Sequence, residues 1–339
     1  MSGIYPYLYT RGAFMKKRLL RQSDYHKLLK MDLPEIIKYL EESDYKKAID
    51  ELALELKGID LIEAALNRSL GEFFRKIRQM ADMKSKAILD VYLRRWDIHN
   101  AKTAMRTVFS NVPVEKMGHL LVVAGAYPKE FFIELAKQGS VEEIIKRLSF
   151  VDEKTREALA LAYGSSKALL QVESMLDQMY YHRMFRHGKR LGAEAALFKR
   201  FLADEVAIIN LKTVLRLRAE HVEPAEIRKY LIMQEGKQDA ELMAVLNAPS
   251  ESIIPEAQKT RFGVFLGGAA TGVDVEIAAE RHLVETYASS AYMNPMSITP
   301  LLTIMFIKAA EVANLKGLVK AKQLGMAQEF IEQKVVVQW

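Results

Sequence analysis

Residues 208–218 read IINLKTVLRLR, a basic, helix-forming segment with one Asn set among aliphatic neighbours. Versions of it recur along the chain. WDIHNAKTAMR places Asn100, Lys102 and Arg106; VAIINLKTVLRLR places Asn210, Lys212 and Arg216; AAEVANLKGLVKAK places Asn314, Lys316 and Lys320. The pattern N-x-K-x-x-x-R/K is separated by 110 and then 104 residues. A second set runs ahead of it: LIEAALNRSL around Glu63 and Asn67, QVESMLDQMY around Glu173 and Asp177, and DVEIAAERHL around Glu276 and Glu280. The two sets keep a distance of 33, 33 and 34 residues. A third echo pairs PEIIKYL from Pro34 with EEIIKRL from Glu142, with AELMAVL from Ala240 as a weaker copy. Repetition at a fixed period is the signature of a chain built from similar supersecondary units. Three helical units are expected, over residues 1–110, 111–220 and 221–339, with breaks beside SNVPVEK and EHVEP.

The rest of the sequence agrees with an all-α fold. Apolar residues recur at three- and four-residue intervals, helix formers dominate, and only 9 prolines occur in 339 residues. Helix starts are signalled at SDYHKLL from Ser23, at DLPEIIKYL with Pro34 just inside, and at GSVEEIIKRL, where Ser140 and Glu143 have capping-box spacing. Period-two alternation is confined to the terminal KVVVQW.

On a helix turning about 100° per residue, the repeated Asn and the Lys two positions later point in nearly opposite directions, while that Lys and the cation four positions on share a face. Asn100 shares its face with Leu93, Trp96 and Ala104, Asn210 with Val206 and Val214, and Asn314 with Ile307, Ala310 and Leu318. The Asn is therefore expected to be buried, and a buried amide lacking partners costs about 1–3 kcal/mol, so it should tie its helix to a neighbour's backbone. The opposite face sets like charges at i and i+4, which weakens an isolated helix by roughly 0.2–0.5 kcal/mol per pair. Two accounts stand: local neutralisation by carboxylates such as Glu63, Glu173 and Glu276 on the preceding helix, or convergence of the basic faces on an acidic partner.

Composition excludes several function classes. The chain has no Cys, which rules out disulfides, thiolate metal sites and a Cys nucleophile, and suits a reducing compartment. A net charge of +6 permits an anionic partner, but 27% charged residues of both signs is an ordinary surface. The uncharged run FGVFLGGAATGV, residues 262–273, falls short of the ~20 apolar residues a spanning helix needs. In the N-terminal MSGIYPYLYTRGAFMKKRLL the cations follow the aromatics, the wrong order for a secretory signal, so mature, folded sequence is expected there.

Chemistry-bearing constellations are missing. GVFLGGAATGV has the glycines of a phosphate loop, but no Lys-Ser or Lys-Thr follows Gly272 and no strand precedes it, so a helix connection is expected. His182 and His187 in YYHRMFRHGKR lie five apart, off a common helical face, without spaced carboxylates for a metal. The aromatic and basic residues of that segment, Tyr180, Tyr181, Arg183, Phe185 and Arg186, have the makings of a nucleic-acid clamp, but at helical spacing they read first as a core stripe with a charged edge. The first thirty residues carry seven Lys and Arg against one acid, Asp24, either a solvated face or a docking face for an anionic surface. No catalytic residue, cofactor site or metal site is assigned.

Taken in order, IYPYLYTRGAFMKKRLL, YHKLLKMDLPEIIKYLEESDYKKAIDEL, DLIEAALNRSL, YLRRWDIHNAKTAMR, VESMLDQMYY and EVAIINLKTVLRLR resemble the C subunit of the archaeal and bacterial A/V-type rotary ATPases, which is similar to the d subunit of the eukaryotic vacuolar enzyme. The resemblance runs from residue 4 to about residue 325. It implies a funnel of three similar helical bundles about a pseudo-threefold axis, seated on the membrane proteolipid ring at the cytoplasmic face, peripheral to the membrane. Such a funnel receives the foot of the central shaft, built from D- and F-type subunits, and transmits torque without binding nucleotide or protons directly; no metal, cofactor or nucleic acid is expected. The family's acidic residue three positions before the repeated Asn is matched by Asp97 and Glu311 but not by Ala207, and the third unit carries Gly317 and Lys320 where the others have Thr and Arg. The competing class is a helical-repeat scaffold for nucleic acid or an acidic protein.

Overall fold

The computed structural model describes residues 4–189, 191–192, 195–233 and 239–334. The described chain is helical, with no strand; the terminal VVVQW, which carries the alternating pattern, lies outside the described residues. The helices fall into two compact units, one made of residues 1–169 with 291–339 and one of residues 170–290.

The discontinuous unit contains α1 (Ile4–Lys16), α2 (Gln22–Leu28), α3 (Leu33–Glu41), α4 (Lys46–Leu52), α5 (Gly58–Met80), α6 (Met83–Phe109), α7 (Val114–Met117), α8 (Lys129–Ala136), α9 (Val141–Arg147) and α10 (Glu153–Ser166). The continuous unit holds α11 (Leu169–Gly188) after its first residue, α12 (Ala195–Ala219), α13 (Pro224–Ile227), α14 (Ala240–Asn247), α15 (Ile253–Gln258), α16 (Gly263–Leu266) and α17 (Gly272–Met293) as far as Ser290, the end of α17 from Ala291 on belonging to the discontinuous unit. The chain then returns to the first unit through α18 (Thr299–Gln323) and α19 (Gln328–Lys334).

Local chemistry sets the boundaries. Asp32 caps α3 by accepting the Glu35 N–H at 2.8 Å, Glu35 returns the bond to the Asp32 N–H at 2.9 Å, and Pro34 fills a first-turn position that needs no donor. Ser140 caps α9 through the Glu143 N–H, whereas the Glu143 carboxylate takes Lys146 rather than closing the box. Near Ser23 the helix starts one residue earlier, at Gln22, because the Asp24 carboxylate reaches back to the Arg21 N–H. The glycine-rich 262–273 stretch joins α16 to α17, where Asp274 accepts the Ala270 and Thr271 N–H groups.

The ends of the long helices repeat as well. After α6, Asn111 adopts φ 52° and the Val112 N–H reaches back to the Thr107 carbonyl at 2.9 Å. After α12, His221 adopts φ 60° and Val222 donates to Leu217 at 2.9 Å; after α18, Gly325 adopts φ 66° and Met326 donates to Ala321 at 3.0 Å. This is the left-handed stop in which a 6→1 bond satisfies a carbonyl that the helix leaves orphaned. Residues 111, 221 and 325 are spaced as the three Asn residues are.

In the discontinuous unit, Leu28, Ile36, Ile49, Leu66, Phe74, Ile77 and Leu89 are buried, and α18 lies along α5. The α5 surface also meets residue 123 closely: a Cβ on Gly71 would stand 2.8 Å from the Val123 carbonyl oxygen, so only glycine fits. In the continuous unit Leu211, Val214, Ile227, Leu242, Leu246, Phe262, Leu266 and Val275 form one cluster, and Phe201 stacks on Tyr287 with ring centroids 3.9 Å apart.

Candidate functional site

Asn100 and Asn210 do the same thing in the two units. The Asn100 amide donates to the Val122 carbonyl at 2.9 Å and accepts the Val122 N–H at 3.0 Å. The Asn210 amide donates to the Ile232 carbonyl at 2.9 Å and accepts the Ile232 N–H at 2.8 Å. Each pair spans 22 residues and each amide is buried. The segments they hold are irregular, so their backbone groups have no helical partner, and the planar amide supplies donor and acceptor together. Asn314, half-buried, hydrogen-bonds the side chain of Tyr25 on α2 instead.

The acidic positions three residues earlier also grip backbone. Asp97 accepts the Ala126 N–H at 3.0 Å and the Tyr127 N–H at 3.2 Å. Burial pushes its carboxyl upward from the usual range, while those two N–H groups and Arg94 pull it back. Gly125 is required beside it, because a Cβ there would overlap the carboxylate. Glu311 accepts the Leu20 N–H, the Tyr45 hydroxyl and the Lys308 ammonium, each at 2.6 Å. Lys308 also donates to the Tyr45 hydroxyl at 2.8 Å. All three side chains are buried, and burial followed by the Glu311 charge drives the Tyr45 hydroxyl far above its ordinary value. At position 207 stands Ala, which has no carboxylate to offer there.

The cations divide by partner. Arg216 forms a two-pronged pair with Glu276, Nη2 to Oε2 at 2.9 Å, and Lys212 pairs with Glu280. These carboxylates sit on α17, the long helix after α12, rather than on a helix before it. The Asn face of α12 is occupied by residue 232, so its opposite face is the one left to meet α17. Lys316 on α18 donates to the Asn67 amide oxygen on α5, and the same amide donates to the His119 carbonyl at 3.0 Å. A carboxylate at position 67 lacks that donor. Burial lowers Lys316, with the Glu63 charge opposing. Lys320 is exposed and donates to Gln323 at 3.1 Å. Lys102 is half-buried and Arg106 exposed on α6. With Lys316 they bear on His99, whose pKa falls to about 4, first through burial and then through these three positive charges.

Sequence reasoning missed Lys308 and Tyr45. Neither belongs to a repeated motif, and their meeting depends on α18 lying beside α4 and α5. His182 and His187 both lie on α11, and the His182 Nε2 meets the Met233 carbonyl at 2.7 Å. Among the described residues no group of three or more His, Asp and Glu side chains is placed to hold a metal, and no helix is long and apolar enough to cross a membrane. A groove of about 1020 Å³ runs between α1, α4 and α5, with charges of both signs on its walls and Lys308 at its floor.

A family model described as ATP synthase (C/AC39) subunit matches residues 8–334. The chain belongs to that family. It is 32% identical over 341 residues to the A-type ATP synthase C subunit of Methanosarcina acetivorans, covering 98% of this chain and 93% of the relative. It is 32% identical over 334 residues to the protein of the same name from Archaeoglobus fulgidus, covering 98% and 96%. The Methanosarcina mazei protein of that name is 30% identical over 344 residues, covering 99% and 94%. The chain is thus a subunit of a rotary ATP synthase by family, and the repeats and clamps described above are the framework of a C/AC39 subunit.

Proposed function

We propose that this C/AC39 subunit is a noncatalytic central-stalk component, a socket that couples the central shaft to the membrane proteolipid ring and transmits torque for ion transport. Its place is peripheral, on the cytoplasmic face, between D- and F-type shaft subunits and the ring. The three repeats, over residues 1–110, 111–220 and 221–339, form a pseudo-threefold funnel in this reading.

The family match across residues 8–334 carries the proposal. The helix stops at Asn111, His221 and Gly325 support the threefold repeat, as do the amide clamps at Asn100 and Asn210 and the matched positions of Asn314, Lys316 and Lys320. A torque-bearing part must resist twist, and close-packed helices tied by buried two-way amides suit that demand. Lys212 and Arg216 are engaged with Glu280 and Glu276, which weakens a nucleic-acid reading of the basic face. Lys320, exposed near the end of α18, is a cation this reading offers to an acidic surface of the shaft.

Mixing the purified chain with D- and F-type shaft subunits and detergent-solubilised ring is expected to give one complex on size exclusion. Separate elution of active components would overturn the proposal.

A further inference from the structure

One end of the discontinuous unit gathers exposed apolar side chains and unpaired cations. Its geometry follows from two contacts between α18 and α5: Lys316 meets Asn67, and Lys308 stands 5.7 Å from the Phe73 ring. Moving back along α18 moves forward along α5, so the helices are antiparallel. At about 1.5 Å per residue, the start of α18 at Thr299 lies level with the end of α5 at Met80. α1 comes to the same end: its chain reaches Glu311 at Leu20, and nine residues earlier the Arg11 Nε contacts the Met80 sulfur at 3.5 Å.

The side chains at this end stand out into solvent. Met83 begins α6 at 89% exposure, and Tyr292, Met293 and Met296 lie before α18 at 80%, 65% and 58%. Tyr292 and Met293 close α17, and the turn that follows, carrying Met296, is ordered. The Ser297 hydroxyl donates to the Asn294 carbonyl at 2.8 Å and accepts the Thr299 N–H at 3.1 Å. Methionines at helix ends and on a hydrogen-bonded turn, more than half exposed, mark a contact surface rather than a frayed loop.

The cations beside them sit against local electrostatics. Lys84 and Lys86 occupy the first turn of α6, where the helix dipole disfavours positive charge, and no acidic residue shares that turn. Among the described residues neither forms an ion pair, nor does Lys76 in the last turns of α5. Nearby acids are already used: Asp82 caps α6 through the Ser85 N–H and Asp90 is held by Arg78.

We propose that this end is a lipid-contacting surface, with the Met83, Tyr292, Met293 and Met296 side chains entering the interfacial layer of an anionic bilayer and Lys84 and Lys86 meeting its headgroup phosphates. Tyrosine at the headgroup level beside lysine is the pattern of interfacial anchoring, and each Lys near an anionic leaflet contributes about 1 kcal/mol. The apolar groups protrude from helix ends and one turn instead of lining a concave pocket, which suits a fluid interface over a shaped protein partner. The inference rests on the peripheral placement proposed above and adds direct contact with lipid.

The test is flotation of the purified chain, without ring or shaft, with vesicles of phosphatidylglycerol mixed into phosphatidylcholine and with phosphatidylcholine alone. Binding to the anionic vesicles is expected, weak on the neutral ones and falling with added salt. Lys84→Ser with Lys86→Ser is expected to lower partitioning about tenfold or more, from the loss of two headgroup contacts. Met293→Ser with Met296→Ser should lower it too, whereas Leu161→Ser, at 76% exposure on α10, should leave it unchanged. All these positions are exposed, and thermal melts of the variants check that they fold. A chain that joins shaft and ring but never floats with anionic vesicles overturns the lipid surface and leaves the functional proposal standing. Vesicle binding by a chain that does not join them upholds the lipid surface alone. Tip variants that lose the ring while vesicle binding is unaltered assign the tip to a protein partner and overturn it.

Discussion

A repeated Asn in a basic helix invites a ligand-reading role, yet Asn100 and Asn210 spend their hydrogen-bonding capacity on a single backbone residue each. Asn100→Ala removes the acceptor of the buried Val122 N–H and one of the two donors to its carbonyl, which keeps the Ala124 N–H, and Asn210→Ala removes the bonds of its amide to the Ile232 N–H and carbonyl. Each is expected to cost about 1–3 kcal/mol, read as a lower urea midpoint. His99 gives a second residue-scale expectation. Its folded pKa near 4 lies below the ordinary 6.5, so the folded chain resists a proton that the unfolded chain accepts. Stability from this group is complete above pH 6.5 and is lost as pH falls toward 4, on the order of 2–3 kcal/mol across the window. His99→Gln should flatten that part of the profile in thermal melts at pH 7 and pH 4.5. At this scale the sequence marked an apolar face for the Asn, from residues such as Ala104 and Val214. It did not contain the partner, because Val122 and Ile232 lie in irregular segments without a periodic pattern of their own.

Among the elements, α18 has the heaviest polar commitments. Lys308→Met strands Glu311 in the core and is expected to cost about 3–5 kcal/mol, whereas Lys308→Met with Glu311→Leu should cost less than the sum of the single changes. Urea unfolding of the four proteins of that cycle measures the coupling. The helix stops offer a gain instead. His221 bears a left-handed φ of 60° that glycine adopts freely, so His221→Gly should stabilise by about 0.5–1 kcal/mol, visible as a raised melting temperature. Helices were legible from periodicity and caps, as Asp32, Pro34 and Ser140 show. Their partners were less so. The Glu276 and Glu280 carboxylates were visible as a motif, but their pairing with the helix before them comes from packing, which helical periodicity does not encode.

For the whole molecule, a part that transmits torque without chemistry should separate two activities of its assembly. In the proposed complex, Lys308→Met is expected to leave ATP hydrolysis by the catalytic head within about twofold of wild type while lowering ATP-driven ion uptake, if the loosened framework yields under load. Parallel hydrolysis and uptake measurements in reconstituted vesicles check this, and an equal fall in both would assign Lys308 to assembly alone.

The division of the chain also bears on how it is made. One unit combines residues 1–169 with 291–339, and its N-terminal part is held by Glu311 through the Leu20 N–H. A ribosome adding roughly 5–20 residues per second needs about 10–30 s after residue 169 to finish the chain. For that interval the first-made helices lack α18, and the apolar surface of α5 that it covers is open. The middle unit, residues 170–290, is continuous in sequence and is synthesised before α18. Synthesis therefore runs out of step with completion: what emerges first is finished last.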